Sequence, residues 1–107
     1  MKVLDDRNRE GLKKFWQALV GYSKREAVLQ DGYLYIMDSN KGMYLVRIVI
    51  KFADIFKVFV DPEEENIRIV VRDGERLENK DLKPAKFMFF LDQLNMEISK
   101  VGLSLQG

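Results

Sequence analysis

Residues 12–46, LKKFWQALVGYSKREAVLQDGYLYIMDSNKGMYLV, constrain the fold more than any other part of the chain. Leu12, Phe15, Trp16, Leu19 and Val20 fall at i, i+3, i+4, i+7 and i+8, so the spacing predicts an amphipathic helix. It should begin near residues 7–11 and end at Gly21, a residue that reaches left-handed backbone angles without penalty. Residues 23–26 read as a turn and residues 27–30 as a strand. Asp31-Gly32 is a strong hairpin signal, with residues 33–37 as the partner strand. A polar turn over residues 38–42 then leads into the longest strand, residues 43–51. Alternation there puts Tyr44, Val46, Ile48 and Ile50 on one face, read as core. A helix laid over three antiparallel strands can bury a core, and the rest of the chain extends or imperfectly repeats that unit.

Beyond Lys51 the pattern changes. Phe52, Ile55, Phe56 and Phe59 fit a helix, but Val58-Phe59-Val60 are poor helix formers, and a strand over residues 55–60 is preferred. Residues 61–66 form an acidic turn. Ile67, Ile69 and Val71 then alternate on one side of a strand, and Asp73-Gly74 turns the chain again into an exposed stretch over residues 75–81. Pro84 suits the first turn of a second helix with Phe87, Phe90, Leu91 and Leu94 on one face, although Phe87-Met88-Phe89-Phe90 alone would pass as a strand. Residues 96–105 read as a last strand bent near Gly102. The expected class is α+β, an antiparallel sheet with one or two helices packed on one face. The 107 residues make one domain, with a second repeat from about residue 61 incomplete.

The absence of Cys and His removes thiol nucleophiles, disulfides, zinc–thiolate sites and the commonest general base. No metal site and no cofactor are expected. The loop at Asp38-Ser39-Asn40-Lys41-Gly42 has its Gly one place early for a calcium loop and Val49 at the closing position, so an Asx-type turn is preferred. Asp61 with Glu63-Glu64-Glu65 reads as a solvated acidic turn, and Asp5, Asp6, Glu75 and Glu78 have no spacing that makes an acid/base pair. No nucleophile elbow, phosphate loop or dinucleotide fingerprint is present, so no enzyme is expected. Tyr22, Tyr33, Tyr35 and Tyr44 beside Arg25 and Arg47 could stack on single-stranded bases; ordinary cross-strand packing is the preferred reading. A net charge of +1 neither requires nor excludes nucleic acid. No run is apolar enough to span a bilayer and no apolar leader follows Met1, so a cytoplasmic location is expected, or nucleoid or nuclear by source.

Residues 1–51 resemble the DNA sliding clamps of archaea and eukaryotes, the proliferating-cell-nuclear-antigen type. The resemblance rests on Leu12-Lys13-Lys14 followed by Ala18-Leu19, on Asp31-Gly32 followed by a strand ending in Met37-Asp38-Ser39, and on Leu45-Val46 a few residues later. It implies a sliding-clamp-like domain and a non-enzymatic role in DNA replication or repair, as an oligomeric processivity factor or a clamp-related accessory. The implied partners are double-stranded DNA held without base readout, replication proteins and further copies of the chain, with no membrane. In such clamps helices line the central hole with basic residues toward phosphate, which assigns that role here to Arg9, Lys13 and Lys14. A second basic group, Lys80, Lys83 and Lys86, lies around the expected second helix, and Lys83 and Lys86 are its candidate DNA contacts. The alternative is a small protein-interaction module, viral or accessory, that keeps the domain shape without encircling DNA. The Phe87–Phe90 run is similar to the aromatic end of a clamp-binding peptide but lacks the preceding Gln, so core packing is preferred for it.

Overall fold

The computed structural model describes residues 3–5, 15–20, 23–40 and 43–106. Its class is α+β. Among the described residues nine strands form one sheet: β1 (Val3–Asp5), β2 (Phe15–Val20), β3 (Ser23–Gln30), β4 (Tyr33–Asn40), β5 (Met43–Lys51), β6 (Ile55–Asp61), β7 (Asn66–Asp73), β8 (Arg76–Pro84) and β9 (Leu105–Gln106). A helix, α1 (Phe87–Ser99), lies between β8 and β9. The sheet order is β1-β5-β4-β3-β2-β8-β7-β6-β9, so two antiparallel meanders, β2–β5 and β6–β8, are joined edge to edge by β2 and β8. Among the described strands only the two-residue β9 pairs in parallel, against Val58 and Phe59 of β6, which makes the sheet mixed rather than purely antiparallel.

The sheet must curl. β5 and β6 stand second and eighth in the order, which in a flat sheet would separate them by roughly 29 Å at about 4.8 Å per strand. A single 3-10 turn, Phe52–Asp54, joins them, and so short a link reaches only about 14 Å. The two meanders therefore fold back on each other, and α1 fills the concave side. One buried cluster joins Trp16, Ala27, Leu34, Ile36, Ile50, Phe52, Val58, Ile67, Ile69 and Leu82 of the sheet side to Phe87, Phe90, Leu94 and Ile98 of α1. Trp16 meets Phe90 edge-on, with ring centroids 5.6 Å apart. A smaller cluster, Val28, Met37, Tyr44 and Val46, sits on the opposite face of β3–β5.

Several sequence expectations hold. Asp31 and Gly32 both take positive φ, +51° and +84°, the geometry of the tight turn between β3 and β4. The strand over residues 55–60 is β6, and Ile67, Ile69 and Val71 all turn to the core. The face with Phe87, Phe90 and Leu94 is indeed the buried side of α1.

Others are corrected. The expected first helix is replaced, over its described part, by β2. Trp16 and Val20 satisfy a period of two as well as one of four, Trp16 and Ala18 are buried, and Gln17 and Leu19 point outward. Pairing on both edges, with β3 and β8, decides for the strand. The expected turn over residues 23–26 is the beginning of β3, for the same reason.

In β5 the four residues read as one face are divided. Ile36 pairs with Ile48 but Met37 pairs with Val46, leaving Arg47 as an extra residue. That bulge flips the parity, so Tyr44 and Val46 join the small cluster while Ile48 and Ile50 face α1. The expected Asx turn at Asp38 is strand instead, since β4 continues to Asn40.

Of the stretch read as exposed, residues 76–81 are the first part of β8; none of them is buried, and strand pairing with β7 accommodates their polar side chains. Pro84 ends β8 rather than opening α1; it lacks an N–H to donate, and the next N–H, of Ala85, donates to the Gln17 carbonyl at 2.9 Å. Met96 to Ser99 are helix, not strand, because Ile98 continues the buried 87-90-94 spacing. α1 then closes in a Schellman motif: Gly102 N–H donates to the Ser99 carbonyl, Leu103 N–H donates to that of Ile98, and Gly102 takes φ +81°.

Candidate functional site

The residues assigned to DNA by resemblance fall in three places. Arg9, Lys13 and Lys14 lie outside the described residues. Lys83 is an exposed residue of β8 whose Nζ donates to the Glu64 carbonyl at 3.2 Å and stands 3.8 Å from the Glu64 carboxylate. Lys86 is exposed just before α1. Lys80, Lys83 and Lys86 do not form one patch. Lys80 and Lys83 are an odd number of places apart on one strand and so emerge on opposite faces, and Lys80 faces Glu78 at 3.5 Å. The sequence of α1 itself, FMFFLDQLNMEIS, contains no Lys or Arg.

The arginines set beside the tyrosines are also engaged. Asp38 accepts from Arg25 Nη1 at 2.6 Å and from Arg47 Nε at 2.5 Å, so one carboxylate ties β3, β4 and the β5 bulge together. Tyr33 and Tyr35 stack on each other with centroids 5.8 Å apart, and Tyr44 is buried. On the outer face of β7 and β8, Arg68 meets Asp81 through two hydrogen bonds, at 2.8 and 3.1 Å. The hydrogen bond from Arg68 holds the Asp81 carboxyl below the usual aspartate range, with the charges of Arg68 and Lys83 and a hydrogen bond from Asn66 adding to it. Asp81 in turn raises Arg68.

A concavity of about 580 Å³ between β2, β3 and β8 is lined by Gln17, Leu19, Lys24, Arg25, Glu26 and Lys83. Its charged lining is one carboxylate, Glu26, beside the cations Lys24, Arg25 and Lys83. Among the described residues no group of three acidic, His or Cys side chains could hold a metal ion. Nor is any described helix long and apolar enough to cross a membrane.

The outer face of α1 is the feature that sequence reading missed. Phe89, Asp92 and Met96 follow at i, i+3 and i+7, with Met88 beside them, and all four are exposed. Phe89 keeps 70% of its surface in solvent, Met88 61% and Met96 60%. Val101, just past the helix, is exposed too. The run read as core packing is therefore split: Phe87 and Phe90 go inward, Met88 and Phe89 outward. The signal was present, since a helix with an apolar inner stripe has no structural need of three more large apolar residues outside it. Beside this face, a concavity of about 420 Å³ is lined by Pro62, Glu65, Lys86, Phe87, Met88 and Phe89, which places the acidic β6–β7 turn against the first turn of α1.

No protein-family model matches the chain, and no curated protein matches it. The functional reading therefore rests on these surfaces.

Proposed function

We propose that the chain is a small non-enzymatic protein-interaction module that docks a partner protein on the outer face of α1. The observation that carries this reading is the stripe of Met88, Phe89 and Met96, each more than half exposed on one side of one helix. Single exposed apolar residues are ordinary on protein surfaces, but neighbouring large ones mark contact sites. Methionine adapts its shape to what packs on it, and an aromatic residue supplies rigid contact area, a pairing suited to binding another chain. The test is site-specific photocrosslinking in the cell that makes the protein, with a photoreactive side chain at position 89 or, as control, at exposed position 76. A discrete heavier protein adduct formed from position 89 and not from 76 supports the reading. No adduct at 89, or the same pattern at both, overturns it.

A second reading, a clamp-related protein of DNA replication or repair, keeps one supporting observation. Asp31-Gly32 is a hairpin turn, Met37-Asp38-Ser39 lies in β4, and Leu45-Val46 follows in the paired strand β5, the order on which the resemblance rests. Against it, residues 15–20 are strand where that resemblance calls for helix, and the exposed face of α1 offers phosphate no cation. DNA association that falls steeply with salt and is lost on changing Lys13 and Lys14 to Glu would support this reading; association untouched by those changes would remove it.

A further inference from the structure

We infer that the partner segment received by α1 is a basic amphipathic helix. The inference rests on the reading of α1 as a docking face and adds the chemistry of what docks there. The stripe from Met88 to Met96 runs about 12 Å along the helix, two turns, and is narrow. A second helix laid along it would set its own i, i+3, i+4 and i+7 apolar side chains against Met88, Phe89 and Met96.

Charge decides the sign of the partner. The β6–β7 turn presents Asp61, Glu63, Glu64 and Glu65, all exposed, and Asp92 lies on the stripe itself. The turn is held in place: Glu64 N–H donates to Asp61 Oδ1 at 3.3 Å, and Glu65 N–H donates to the Pro62 carbonyl at 3.3 Å. Through Pro62 and Glu65 it shares a concavity with Met88 and Phe89, which sets the Glu65 carboxylate beside the apolar stripe and the rest of the acidic turn next to it in sequence. The nearby cations are Lys83, engaged with Glu64, Arg68, engaged with Asp81, and Lys86. The turn and the stripe thus carry five carboxylates against three cations, Lys83, Lys86 and the Arg68 that lies beside Asp61. At the other end Glu97 is met by Lys100 at 3.2 Å, so the acidic excess is concentrated beside Met88 and Phe89. An acidic helix would meet like charge there, whereas Lys or Arg flanking an apolar face would be drawn in.

The probe is a fluorescein-labelled amphipathic peptide of Leu and Lys, compared with the same peptide carrying Glu in place of Lys. Anisotropy is followed at low and at high salt. Binding of the Leu/Lys peptide is expected, weakened by salt. It should fall by about tenfold or more with Phe89→Ser, the scale of losing an interface anchor. It should also fall with Glu63→Lys combined with Glu65→Lys, a pair that leaves the Glu64 contact to Lys83 in place. Near-UV circular dichroism checks that each variant keeps its fold. Equal binding of the Leu/Glu peptide, equal binding to all variants, or no binding of the Leu/Lys peptide overturns the inference. If photocrosslinking at position 89 still yields a discrete adduct, only the partner's charge has been misassigned; if that fails as well, the docking face itself is withdrawn.

Discussion

The two sides of α1 are built from the same kinds of residue and do opposite things. Inward, Phe87, Phe90, Leu94 and Ile98 are buried in one cluster with residues of the curled sheet. Outward, Met88, Phe89 and Met96 meet solvent, with Asp92 among them. Phe89 and Phe90 are adjacent and chemically identical, yet one is the most exposed large apolar side chain of the helix and the other is wholly buried. The difference teaches that apolarity states a side chain's preference, while the sheet's curvature determines which preferences are met within the chain. What is left unmet on the outside is available to a partner.

The sharpest way to break the comparison is to substitute the two neighbours separately. Phe90→Ala removes the ring that packs edge-on to Trp16 and should cost about 3–5 kcal/mol of stability. Denaturant unfolding followed by the fluorescence of the single tryptophan would measure it. A loss near zero would mean that the inner face is not the core described here. Next in size is Gly102→Ala. No atom crowds the added methyl group, so its cost is conformational, about 1–2 kcal/mol for holding φ near +81°. Thermal unfolding would show it as a lowered midpoint, with fraying confined to the end of α1. Phe89→Ser should change stability by no more than about 0.5 kcal/mol, because its side chain stands mostly in solvent. A large loss there would show the outer face to be structural after all.

The smallest effect concerns pH. The Asp81 carboxyl is held low by Arg68, so its contribution to stability is present above the unfolded aspartate pKa and is lost as pH falls through the folded value. Asp81→Asn should therefore lower stability slightly at neutral pH and flatten part of the decline in acid, as read from denaturation midpoints across an acidic pH series. An unchanged acid limb would mean that the pair contributes nothing measurable. The outer pair is solvent-screened, so the effect is expected to be minor.

Much of the fold was legible where one local signal dominated. Asp31-Gly32 fixed a hairpin because two successive positive φ angles admit few residue pairs. The inner face of α1 was legible from Phe87, Phe90 and Leu94. Residues 15–20 were not, because Trp16 and Val20 fit both periods and the decision lay with two neighbouring strands distant in sequence. The faces of β5 were misread because a bulge at Arg47 carries no local signature, and residues 76–81 of β8 were missed because their pairing with β7 leaves the side chains unburied, so no apolar alternation marks the strand. Of the candidate site, Met88, Phe89 and Met96 were in plain view, but their exposure depends on which side of α1 the sheet occupies, a property of the whole chain. Lys83 and Lys86 were grouped by nearness in sequence, and a strand end separates them.

The most direct test of the docking face is the rate of methionine oxidation by peroxide, read by mass spectrometry on the isolated chain and again inside the cell. Met88 and Met96 report on the outer face of α1, Met43 is an exposed control at 47%, and Met37 is a fully buried one. In isolation Met88, Met96 and Met43 should oxidise quickly and Met37 slowly. Inside the cell, protection of Met88 and Met96 with Met43 still reactive is the predicted result. Met88 and Met96 oxidising as fast as Met43 in both settings would contradict it.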